Sequence, residues 1–86
     1  MARLRVTYLR EGQHPSETMV SVPTANGSVA TTIVDADSFE DGSIEIGYPV
    51  ASDAKRYLVE LPRETLTGQW RLWVKREDVV GELVNA

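Results

Sequence analysis

The sequence predicts an all-β domain: a small barrel or two-layer sandwich of six to seven short antiparallel strands. Three observations predict it. Residues 56–75, RYLVELPRETLTGQWRLWVK, alternate apolar and polar side chains along both arms of a hairpin, the period of a half-buried strand. Val, Ile, Thr, Tyr and Trp are abundant, and turn signals recur at short intervals along the chain. No segment keeps a helical period over three turns.

The hairpin fixes its own register. Pairing Leu61 with Trp70 sets Val59 opposite Leu72 and Tyr57 opposite Val74, so one face is wholly apolar. The other face then matches Glu60 with Arg71 and Leu58 with Trp73, and Glu64–Thr67 is left as the loop. A slip of one residue scatters both faces. Trp70, with Leu72 and Val74, is expected in the core.

The remaining elements follow from the N-terminus. Leu4, Val6 and Tyr8 alternate with Arg3, Arg5 and Thr7 in a first strand. Glu11–Glu17 is a polar loop with Gly and Pro. Thr18–Ala25 and Ser28–Val34 flank Asn26-Gly27, the signal of a two-residue type I′ hairpin. That turn sets Val20 against Ile33, Val22 against Thr31 and Thr24 against Val29. Pro23 has no amide proton, so its strand is expected to show an open edge there. Asp35–Gly42 reads as an acidic connection with Phe39 as its one buried residue. Ser43–Val50 is the next strand, Ala51–Lys55 a turn, and Val79–Val84 the last strand after a short 3₁₀ turn at Arg76–Asp78.

The 86 residues make a single domain, 1–86, and a chain this short buries only about 60–65% of its unfolded surface. There is no cysteine, which excludes disulfides, thiolate nucleophiles and cysteine-based zinc sites. No apolar run reaches the length of a membrane span, and MARLRVTYLR lacks the continuous apolar segment of a signal peptide. The expected location is therefore cytoplasmic, without a membrane partner. Asn26-Gly27-Ser28, although a glycosylation sequon, reads as a turn. The net charge of −4 is segregated: +3 over residues 1–10, −8 over 11–54 and +1 over 55–86.

The segment Gly68-Gln69-Trp70-Arg71-Leu72-Trp73-Val74-Lys75-Arg76-Glu77-Asp78-Val79-Val80 resembles the tail of SH3-like small barrels. There, an aromatic strand leads through a 3₁₀ turn to a short last strand lying beside the first. The resemblance implies an SH3-like barrel. The loop at Gly12–Glu17 has no Tyr, so proline-rich peptide binding is not implied.

Catalysis finds little support. His14 sits in a loop beside Pro15, Ser16 and Glu17, without the oriented, partly buried partner that a nucleophile–base pair needs. Asp35–Gly42 fails as a calcium loop: Phe39 and Glu40 stand where an oxygen ligand and glycine belong, and Ile46 where glutamate does. No cofactor is implied. The best surface is the outer face of the C-terminal hairpin, where Arg71, Trp73 and Lys75 point one way with Leu58 across from Trp73. Arg3 and Arg5 extend it if the first strand packs alongside. The alternative for Trp73 and Leu58 is a second small cluster, covered by a segment such as Leu83 and Val84. The sequence thus predicts a non-enzymatic module binding a protein partner. Nucleic-acid binding through the basic-aromatic face is the second expectation, and an accessory subunit pairing through an open strand edge, as a homo-oligomer, is the third.

Overall fold

The structure, a computed structural model, describes residues 2–81. Its strands are β1 (Ala2–Arg5), β2 (Thr7–Glu11), β3 (Glu17–Pro23), β4 (Val29–Asp35), β5 (Phe39–Glu40), β6 (Ser43–Ile46), β7 (Ala51–Ser52), β8 (Arg56–Glu60), β9 (Arg71–Lys75) and β10 (Val79–Gly81). Two 3₁₀ turns, Ala36–Ser38 and Arg76–Asp78, lie between β4 and β5 and between β9 and β10. The protein is all-β, in three antiparallel sheets ordered β10-β1-β6-β5, β2-β3-β4 and β7-β8-β9. Among the described residues none of these sheets closes on itself. No described helix is long and apolar enough to cross a membrane.

The three sheets share one core. Leu4, Val20, Val22, Val34, Ile44, Val59 and Val74 are fully buried, one or more from each sheet. Chain continuity holds the sheets together: β1 and β2 are one strand bent at Val6, whose N–H donates to the Gly42 carbonyl at 2.9 Å. The bend explains why Leu4 and Val6 are buried while Tyr8, predicted on their side, is 49% exposed. The 3₁₀ turn at Arg76–Asp78 likewise hands the chain from β9 to β10, which pairs with β1.

The ten strands among the described residues exceed the expected six to seven because the first strand is split in two and β5 and β7 are two-residue strands. Residues 51–55, expected to be a turn, supply β7. The strand expected over Ser43–Val50 stops at Ile46, and Tyr48 and Val50 are exposed. The last strand is seen as Val79–Gly81; its predicted continuation through Val84, and with it Leu83, lies outside the described residues.

The β3–β4 hairpin differs from expectation by one residue. Val20 pairs with Thr32 and Val22 with Ala30, rather than with Ile33 and Thr31. The cause is the turn. Only Gly27 has a positive φ (90°), and its N–H reaches the Thr24 carbonyl, so this is a type I turn followed by a left-handed glycine. Asn26 uses its side chain instead, its Oδ1 accepting from the Ser28 N–H at 3.0 Å and the Thr24 hydroxyl at 2.6 Å. The extra loop residue turns Thr32 and Val34 inward and Ile33 outward. Thr32 is fully buried, its hydroxyl set to the carbonyls of Arg63 and Glu64 at 3.3 and 3.0 Å. A type I′ geometry occurs elsewhere, at Asp41-Gly42, where φ is 52° and 76° and Glu40 pairs with Ser43. The acidic connection is thus largely a hairpin, and Phe39 packs at the core margin with its ring 5.8 Å from that of Tyr8.

The edge expected at Pro23 is local: β3 is the centre of its sheet, but on its β2 side the strand is open at Pro23 itself. Pro23 avoids the missing bond because it lies beyond Ser21, which pairs with the first residue of β2, Thr7.

Candidate functional site

The register predicted for the C-terminal hairpin is observed: Tyr57 with Val74, Leu58 with Trp73, Val59 with Leu72 and Glu60 with Arg71. Leu61 N–H donates to the Trp70 carbonyl at 2.8 Å. Alternation then buries Val59, Leu61, Leu72 and Val74, and turns Arg56, Leu58, Glu60, Arg71, Trp73 and Lys75 to the other face. β7 widens that face, with Ala51 paired to Leu58.

Trp70 is a correction. It is 48% exposed rather than in the core, although the register that placed it there holds. Regular pairing ends at Leu61 and Trp70, and the loop turns away to β4, where Thr65 bridges Thr32 and Leu66 N–H meets the Thr31 carbonyl at 2.9 Å. Beyond the ladder nothing enforces alternation, and the Trp70 ring lies under the Arg71 guanidinium, 4.7 Å from its centroid. Arg63 anchors the same loop through Glu17 (2.8 Å) and Asp35 (3.0 Å). Its hydrogen bond holds the Glu17 carboxyl below the usual range.

Trp73 is half-buried, and its ring carries the Arg56 guanidinium 4.2 Å from the centroid. That guanidinium is held in turn by Asp53, at 2.7 Å from Nη2 and 2.8 Å from Nε. Asp53 also accepts the backbone N–H groups of Lys55 and Arg56 at 2.9 and 2.7 Å. The hydrogen bond from Arg56, then that from the Lys55 N–H, lowers the Asp53 carboxyl to about 2. Two residues before Trp73 on the same strand, Arg71 pairs with Glu60 at 2.9 Å. The Trp73 carbonyl accepts the Ala25 N–H at 2.9 Å, which brings the β3–β4 turn beside the outer face. Together they enclose a shallow recess of about 320 Å³ between Asn26, Ser28, Arg71 and Trp73.

Arg71, Trp73, Lys75 and Leu58 are therefore one surface. Arg3 belongs to a different one: its Nε donates to the Ser43 hydroxyl at 2.7 Å and its Nη2 to the Ser38 and Ser43 carbonyls at 3.1 and 3.0 Å. It ties the first 3₁₀ turn to β6. Arg5, exposed and paired to Ser43, lies on the same strand and face as Arg3. The strand carrying both pairs with β6 and β10, not with β8 or β9. Arg56 was legible in the same register, opposite Lys75, but the two-residue alternation that names it says nothing of stacking. Arg76 carried no such signal; its guanidinium covers Tyr57, 4.5 Å from the ring centroid.

His14 is exposed, and its carbonyl accepts the Glu17 N–H. The acidic loop spends Asp35 on Arg63 and Asp41 on a left-handed turn position. Comparison with known proteins finds no matching family model, no similar curated protein and no similar solved structure.

Proposed function

We propose that this chain is a non-enzymatic interaction module that binds a protein partner through the outer face of the β7-β8-β9 sheet. The observation that carries the reading is the Arg56–Trp73 stack at 4.2 Å, flanked by Arg71, Lys75 and Leu58. A partly buried indole held flat by a guanidinium is a rigid anchor that loses little conformational freedom on binding, and Trp and Arg dominate interface hot spots. The bend at Val6, the 3₁₀ turn at Arg76–Asp78 and the position of β10 beside β1 support reading the fold as an SH3-like small barrel. A cytoplasmic location belongs to the same proposal.

The nucleic-acid alternative calls for a continuous basic track from Arg71, Trp73 and Lys75 to Arg3 and Arg5. Arg3 is engaged with Ser38 and Ser43, which weakens it. The accessory-subunit alternative through the Pro23 strand loses its edge, because β3 is central.

The test is capture of binding proteins from the native host by the tagged chain and by its Trp73→Ala variant. The proposal expects a protein retained by the parent and lost by the variant, at moderate salt, with both chains folded by circular dichroism. Retention unaffected by the substitution, or nucleic acid released steeply by salt, would count against it.

A further inference from the structure

We infer that the groove between the turn at Asp53–Arg56 and the 3₁₀ turn at Arg76–Asp78 binds an acidic peptide segment, with Lys55, Lys75 and Arg76 meeting its carboxylates. This rests on the interaction-module reading and names the chemistry of the partner. The groove has a volume of about 870 Å³ and adjoins the Arg56–Trp73 stack.

Its charge is less balanced than its composition. Asp53 and Arg56 neutralise each other, with the carboxylate also accepting the Lys55 and Arg56 N–H groups. Arg76 is fixed without being neutralised. Its Nη1 donates to the Asp53 carbonyl at 2.6 Å and its Nη2 to the Tyr57 hydroxyl at 2.9 Å, both uncharged oxygens, while its plane rests on the Tyr57 ring. The guanidinium is thus held in place with its full charge and further N–H groups to offer. Lys55 and Lys75 are exposed, and among the described residues neither they nor Arg76 forms an ion pair. Of the two lining carboxylates Asp53 is paired with Arg56, so three cations without an ion pair share the groove with one unpaired carboxylate, Glu77.

Three cations suit two or three carboxylates on a short extended peptide. Strong, salt-sensitive binding to a duplex draws on about six to ten phosphate contacts. Residues 11–54 hold no Lys or Arg to lengthen the track, and the chain is net −4. The observations therefore favour the acidic peptide over nucleic acid.

The experiment follows the backbone amides of the isotope-labelled chain at low salt during titration with the peptide GEGEGEG. Its glutamine counterpart GQGQGQG and a single-stranded tetranucleotide of similar charge are the comparisons. The inference expects saturable shifts confined to residues 53–56 and 75–77, and binding at least tenfold weaker for the glutamine peptide. Lys55→Glu/Lys75→Glu, or the milder Lys55→Gln/Lys75→Gln should charge reversal unfold the chain, should weaken the glutamate peptide at least tenfold. Equal binding of both peptides, absence of saturation, or tighter binding of the tetranucleotide would each overturn it. Loss of the Trp73-dependent partner is read in the separate capture experiment, so a failed groove leaves that result standing.

Discussion

At the residue scale, the two tryptophans separate packing from exposure. Trp70 lies outside the ladder under Arg71, so Trp70→Ala should cost less than about 1 kcal/mol in urea unfolding. Leu4, fully buried between β6 and β10, should cost about 2–5 kcal/mol as Leu4→Ala, much of what a domain of this size has. A larger loss for Trp70 than for Leu4 would mean the indole packs inward. Asp53 is the other telling residue. Its carboxyl is lowered from 3.8 to about 2 by Arg56 and the Lys55 N–H. A depressed carboxyl favours the folded state fully above its unfolded value, and that contribution fades as pH falls through the folded value. Above pH 4 the Arg56–Trp73 stack should therefore be intact, loosening between about pH 4 and 2. The check is Trp73 fluorescence in a Trp70→Phe background, titrated in acid. In Asp53→Asn this transition should disappear.

At the element scale, the two hairpins show when a register can be read. β8 and β9 carry a pattern on both faces, apolar inside and Glu60–Arg71 with Leu58–Trp73 outside, so only one alignment satisfies them. β3–β4 is apolar on both faces, with Met19, Val29 and Ile33 outside against Val20, Val22 and Val34 inside. There the turn decides, and a single left-handed glycine with an Asn26 side-chain cap replaced the two-residue turn. Trp70 was not legible because the loop's docking on β4 is a long-range event with no local signature. The candidate surface was readable as far as the hairpin register reached, at Arg71, Trp73, Lys75 and Leu58. Arg3 was not, because its partners Ser38 and Ser43 come from a 3₁₀ turn and β6. The docking has its own test. Thr32→Val removes the hydroxyl shared by the Arg63 and Glu64 carbonyls and should cost about 1–3 kcal/mol. Hydrogen exchange at the Leu66 amide should speed up with it; an unchanged rate would show that Thr32 does not hold the loop.

At the scale of the whole molecule, three small sheets share a core because two bends carry the chain between them, at Val6 and at Arg76–Asp78. The second bend also places Arg76 against Tyr57 and Asp53, so the turn that hands the chain to β10 also supplies a wall of the basic groove. The charge segregation of the sequence reappears as local pairing in part: Arg63 reaches back to Glu17 and Asp35. What it leaves over is the basic margin beside Trp73. The most direct measurement uses Trp70→Phe, which leaves Trp73 as the sole indole. Acrylamide quenching should be measurable in the free chain, as befits a partly buried indole, and fall several-fold when the captured partner is added. A partner bound at saturation with Trp73 still quenched as freely as before would contradict the assignment of this face.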